Sequence, residues 1–191
     1  MIKIAIVYFS GYGHTVKQAE AVQRGAAATS GAEVTVYRIN EHGDLPEGAL
    51  KELTEQDAII YGSPTYMGGP AWQFKKFADS TSKLWYTQGL KDKCAAAFTN
   101  SASSDGDKSS TMHYMFTLSQ QLGQIWIGLG QLPANTKAST YDDVNFCGSY
   151  AGAFATSPSD ASPDEAPRKG DLRTAELLGQ RVAEFAARLS R

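Results

Sequence analysis

Ile2-Lys3-Ile4-Ala5-Ile6-Val7-Tyr8-Phe9, followed at once by Ser10-Gly11-Tyr12-Gly13-His14-Thr15, is the stretch that decides the fold. The first run is rich in β-branched and aromatic residues and is too short for anything but a buried strand. The second is a turn with two glycines and two hydroxyls, and Val16-Lys17-Gln18-Ala19-Glu20 then reads as helix. A strand that feeds such a turn at a helix N-terminus offers free backbone N–H groups and the positive helix end to a phosphate, with Ser10 and Thr15 as side-chain donors. The turn follows the first strand of what reads as an open α/β sheet, the place where such sheets bind ligands.

The type of phosphate loop follows by elimination. The Walker pattern needs a glycine before lysine and a hydroxyl after it, whereas this chain has Val16-Lys17-Gln18. The third glycine of the dinucleotide fingerprint is replaced by Val16, and no cysteine precedes Cys94 to act as a phosphatase nucleophile. What remains is a loop that grips phosphate by backbone and hydroxyl donors alone, which suits holding a cofactor.

Working outward, the pattern predicts a helix over about 14–29, an edge strand at Glu33–Ile39, and a short helix near 49–55. A third strand is expected at Asp57–Ser63, then a loop at Pro64–Pro70 and a helix at 71–81. Lys93–Thr99 is all small or apolar and reads as a central strand. A polar loop from Asn100, a helix over 109–123 and a fifth strand at Gln124–Gly128 complete the alternation. Residues 130–170 read as a long irregular excursion of a functional or intersubunit kind, before a last helix capped by Asp171. Strands alternating with helices imply one α/β domain over residues 1–191, a doubly wound five-stranded parallel sheet of flavodoxin-like order 2-1-3-4-5.

Composition narrows the function. The 191 residues suffice for one full core, and the formal net charge of −2 with interspersed signs carries no nucleic-acid footprint and no polybasic membrane patch. The apolar N-terminal run is too short to span a bilayer and has no leader-like cleavage pattern. Cys94 and Cys147 read as two reduced thiols in a cytoplasmic protein, and the three histidines share no ligand spacing, so no metal site is expected.

Three loops, after strands one, three and four, emerge on the same carboxyl edge of the sheet. The first suits a phosphate. The other two offer amides, hydroxyls and the flat ring of Tyr66, which together fit a mononucleotide with a large planar base, FMN rather than a dinucleotide.

The residues Ser10 through Thr15, Gly62-Ser63-Pro64-Thr65-Tyr66-Met67-Gly68, Leu84-Trp85 and Phe98-Thr99-Asn100-Ser101 resemble the WrbA family of flavodoxin-like NAD(P)H:quinone oxidoreductases over nearly the whole chain. The resemblance implies that Ser10, Gly11, Tyr12, Gly13, His14, Thr15 and Val16 hold the FMN phosphate. It implies that Pro64, Thr65, Tyr66, Met67 and Gly68 flank the isoalloxazine, and that Asn100, Ser101, Ala102, Ser103, Ser104 and Asp105 wrap its edge. It places Trp85 as an aromatic roof, often given by a neighbouring subunit, and Tyr12 near the nicotinamide nucleotide. It further implies a homodimer or homotetramer that uses NAD(P)H as co-substrate and a small quinone as acceptor, with no acid–base residue required. The chain departs from the family pattern at Tyr66-Met67, where Arg-Phe is common, at Asp105, where His is usual, and at Gln121-Leu122, where a His often stands. A flavodoxin-type electron carrier without turnover is the alternative, and the near-neutral charge favours the enzyme because carriers of that type are strongly acidic for docking.

Overall fold

The computed structural model describes residues 1–190. Strand β1 (Ile2–Tyr8) sits near the middle of a parallel sheet, with β2 (Ala32–Arg38) on one side and β3 (Ala58–Tyr66) then β5 (Cys94–Ser101) on the other. Period-two alternation sends Ile4, Ile6 and Tyr8 to one face and Ala5, Val7 and Phe9 to the other, and both faces are covered. Helices α1 (His14–Ala27) and α6 (Lys169–Leu189) cover the first face through Val22, Ala26, Leu178 and Val182. The second face is covered by α2 (Ala49–Glu52), α3 (Trp72–Ser80) and α5 (Lys108–Gln121), with Phe74, Phe77, Met112 and Met115 inside. A short α4 (Ser82–Tyr86) follows α3. This is the three-layer α/β architecture that the alternation predicts.

The strand count departs from the expectation. The sheet has seven strands in the order β2-β1-β3-β5 and then β6 (Ile125–Trp126), with β4 (Gly69–Pro70) beside β3 and β7 (Ala153–Thr156) beside β5. The fifth position is shared: β6 (Ile125–Trp126) pairs with the start of β5, and β7 (Ala153–Thr156) pairs with Phe98–Ser101 at its end. Between them the chain leaves the sheet at Gly128, where a Cβ would stand 2.9 Å from the Tyr150 carbonyl, and returns at Gly152, where it would stand 2.2 Å from that of Ala97. Backbone crosses backbone at both points, so the excursion is pinned at its two ends.

The excursion is also ordered inside. Asn145 is buried, and its amide side chain ties the carbonyls of Gln131 (3.1 Å) and Ser149 (2.9 Å) while its backbone N–H donates to Thr174 Oγ1 at 2.7 Å. Asp171 does not cap the last helix. That helix begins at Lys169, and the Asp171 carboxylate instead accepts the Thr156 N–H at 2.9 Å, joining α6 to β7.

The second loop is also more regular than expected. Strand β3 continues to Tyr66 and folds back on β4 (Gly69–Pro70) through antiparallel pairs Thr65↔Pro70 and Tyr66↔Gly69. Met67 (φ 49) and Gly68 (φ 77) are both left-handed, the signature of a tight type I′ hairpin.

Candidate functional site

The carboxyl edge of the sheet carries a cavity of about 540 Å³, in the size range of small-molecule and cofactor sites. Tyr12, His14 and Thr15 of the first loop, Pro64, Thr65 and Tyr66 of the second, and Asn100, Ser101 and Ala102 of the third line it. Its far wall is a fourth segment, Ser157, Ser159 and Ala161, beyond β7.

The first loop is built as a donor cradle. Gly13 takes φ 93, and its N–H is held by Ser10 Oγ at 3.1 Å, so Ser10, itself buried, shapes the turn. Helix α1 then starts without a side-chain cap, and the amides of Tyr12, His14 and Thr15 meet no acceptor among the described residues. Uncapped helix-start amides with a positive dipole end suit an anion. His14 is committed elsewhere: its Nε2 contacts the Ala161 carbonyl at 2.9 Å and, with the Lys17–Asp164 pair at 3.0 Å, ties α1 to the fourth segment. Val16 packs on the core rather than on the cavity.

The hairpin turns Tyr66 inward and Met67 outward. The Tyr66 hydroxyl lies over Gly11, 2.6 Å from where a Cβ would stand, and burial raises its phenol above the ordinary value. Tyr12 meets the Tyr66 ring edge to face at 6.1 Å, at the cavity mouth. Met67, fully exposed at the hairpin tip, is not in the lining, because the two-residue turn points the residue after Tyr66 to the opposite side. Beneath, Thr65 Oγ1 bonds Thr99 Oγ1 and Thr111 Oγ1, each at 2.8 Å, a hydroxyl chain that stiffens the floor.

In the third loop, Ser157 Oγ donates to Asn100 Oδ1 at 3.0 Å, which leaves the Asn100 amide N–H groups as donors at the cavity wall. Ser103, Ser104 and Asp105 fold behind that wall; Ser104 and Asp105 line a separate pocket with Cys147 and His113. Trp85 is 56 % exposed and lies in another cleft, with Lys75, Asp79, Tyr114 and Gln121, apart from the cavity of its own chain.

Several site residues had weaker signals or none. Thr99 and Thr111 look like ordinary strand and helix threonines. Ser157 and Ser159 follow Ala153-Phe154-Ala155-Thr156, a run whose likeness to Ala96-Ala97-Phe98-Thr99 is the one available clue to a strand with a ligand loop after it. Gln18 is fully buried on α1 with its Nε2 on the Thr99 (3.3 Å) and Ala153 (3.2 Å) carbonyls, and its Oε1 has no partner.

A family model described as Flavodoxin domain matches residues 5–125. Flavodoxin FldP of Pseudomonas aeruginosa is 46 % identical over 99 % of both chains, and an NAD(P)H dehydrogenase (quinone) of Geotalea uraniireducens is 33 % identical over 100 % of both. Among solved structures, the WrbA-like flavodoxin of Agrobacterium tumefaciens superposes with a TM-score of 0.79 at 40 % identity, over 98 % of this chain and 99 % of its own. The chain belongs to the flavodoxin-like family that includes WrbA-like flavodoxins and NAD(P)H dehydrogenases (quinone). Membership implies an FMN site, and the residues present fit the group: unpaired amides at the α1 start for a phosphate, and a donor-bearing third loop for an acceptor-rich ring edge. Among the described residues, no cluster of His, Cys, Asp or Glu could hold a metal ion, and no helix is long and apolar enough to cross a membrane.

Proposed function

We propose that the protein is an FMN-dependent NAD(P)H:quinone oxidoreductase. The observation that carries the reading is one cavity that joins an uncapped helix start to donor loops, in a chain whose formal net charge is only −2. FMN, when bound, supplies two-electron exchange between a nicotinamide nucleotide and a quinone. The protein's part is position and environment. The amides of Tyr12, His14 and Thr15 and the Thr15 hydroxyl hold the phosphate, with Ser10 bracing the turn. Pro64, Thr65 and Tyr66 flank the ring, and Asn100, Ser101 and Ala102 meet its edge. The edge-to-face pair of Tyr12 and Tyr66 borders the entrance, where nicotinamide and quinone alternate.

Trp85 completes the site from a second copy of the chain. Its exposure, and its place in a cleft apart from its own cavity, support a role in trans within a homodimer or homotetramer. The carrier reading rests on one specific observation, the 46 % identity to a protein named a flavodoxin.

Anaerobic addition of NADH or NADPH to the FMN-loaded protein separates the two. The enzyme reading expects loss of the oxidised flavin band, recovery on adding benzoquinone, and repeated turnover. Bleaching by dithionite but by neither nucleotide would refute it and leave the carrier.

A further inference from the structure

Lys108 opens helix α5, a position where lysine ordinarily reaches solvent, yet it is fully buried. Its Nζ lies 2.9 Å from Ser101 Oγ, 2.8 Å from each of the Ser103 and Ser104 carbonyls, and 3.2 Å from Thr156 Oγ1. No carboxylate pairs with it directly among the described residues. Asp171 of α6 faces it across Thr156, Cys147 faces it from the excursion, and Asp105 from the loop itself. Burial pulls the ammonium below its ordinary value, and those three groups oppose the pull. Burying a cation on neutral oxygens is costly, so its retention calls for a role.

The geometry of the loop supplies one. In a trans peptide the carbonyl and the following N–H point in opposite directions. With the Ser103 and Ser104 carbonyls drawn onto Lys108, the N–H groups of Ser104 and Asp105 face away from it. The amides from Ala102 to Asp105 find no acceptor among the described residues. Ser101 lines the cavity, which puts the ammonium one hydrogen bond behind the cavity wall. The third loop is therefore pinned from behind, at Ser101, Ser103 and Ser104, by a buried positive charge that stands one hydrogen bond from the cavity wall.

We propose that Lys108 is a positioning residue that sets the third loop for the flavin's acceptor-rich edge and biases bound FMN toward its reduced form. The proposal rests on the FMN reading of the site. Reduction by two electrons with uptake of one proton leaves one negative charge on the ring, and a nearby fixed cation favours that charge. Asp171, across Thr156, opposes it, so Lys108 and Asp171 act on the flavin with opposite sign.

The test measures the dissociation constant of oxidised FMN by fluorescence quenching and the midpoint potential of bound FMN by dithionite titration against reference dyes. It compares the FMN-loaded wild type, Lys108→Gln and Asp171→Asn. Lys108→Gln keeps a hydrogen-bonding side chain and removes the charge. It is expected to weaken reduced FMN about tenfold more than oxidised FMN, which lowers the potential by about 30 mV for a two-electron couple. Asp171→Asn is expected to raise it. An unchanged potential in Lys108→Gln overturns the proposal. If that variant does not fold, a potential in Asp171→Asn that stays level or falls overturns it. Dithionite makes the result independent of nucleotide use. A protein that ignores NAD(P)H yet shows these shifts loses the enzyme reading and keeps this one; a wild type that binds no FMN loses both.

Discussion

Replacing Asp171 by Asn should stabilise the protein at neutral pH and remove one specific pH dependence. Asp171 is 5 % exposed, and burial raises its carboxyl from 3.8 to about 6, against the hydrogen bond from Thr156 and the attraction of Lys108. The folded state thus binds a proton more readily than the unfolded chain. The sign follows: the contribution of Asp171 to stability is fully present below about pH 4 and is lost as the pH rises through 6. At 1.36 kcal/mol for each pH unit of difference, the loss is about 3 kcal/mol. Asn keeps an oxygen to accept the Thr156 N–H and does not titrate.

Urea unfolding of both proteins at half-unit steps from pH 4 to pH 8 reads this directly, because all other titrating groups are common to the pair. The variant should be about 2–3 kcal/mol the more stable at pH 7, and the two curves should converge as the pH approaches 4. Parallel curves would refute the reasoning. A variant that loses stability at pH 7 would refute it more sharply, since the carboxylate would then be held by Lys108 strongly enough to favour its charge.

Three further outcomes are expected. Thr15→Val should weaken FMN by about 1.5–3 kcal/mol, roughly ten- to 150-fold in the dissociation constant, and riboflavin far less; equal losses for both flavins would make Thr15 purely structural. Gly179→Ala should cost about 3 kcal/mol in urea unfolding, at the upper end of overpacking, because the new Cβ would stand 2.1 Å from the Val22 carbonyl of α1 and only backbone is there to yield. Sedimentation over a dilution series should show FMN retention and quinone reduction falling together as subunits separate, and Trp85→Ala should reduce both; a fully active monomer would return Trp85 to the role of a surface aromatic.

What was legible in the chain follows the range of the forces involved. Strand β1, its turn and α1 could be read within a few residues because the apolar period, the Ser10–Gly13 turn and the helix start are all local, and β5 could be read because Ala95–Phe98 admits no exposed face. The hairpin at Tyr66–Gly69 could not, since its type I′ turn rests on Met67 at positive φ where Asn or Asp would have given the signal. Strand β7 was hidden by its four-residue length; it pairs with the Phe98–Ser101 edge of β5 that β6, ending at Trp126, leaves open.

The same division runs through the site. Residues that line the cavity could be recognised by type and spacing, as with Thr15, Thr65 and Asn100. Lys108 and Asp171 could not, because a charged residue at a helix start reads as solvent-exposed until the partners that meet it in the interior are known, acceptors for Lys108 and the Thr156 N–H donor for Asp171. The acceptors around Lys108 come from Ser101, Ser103 and Ser104 and from Thr156 of β7. Strand β7 therefore does two things at once: it carries Ser157 to the cavity wall and it sets the Thr156 bridge between the two buried charges.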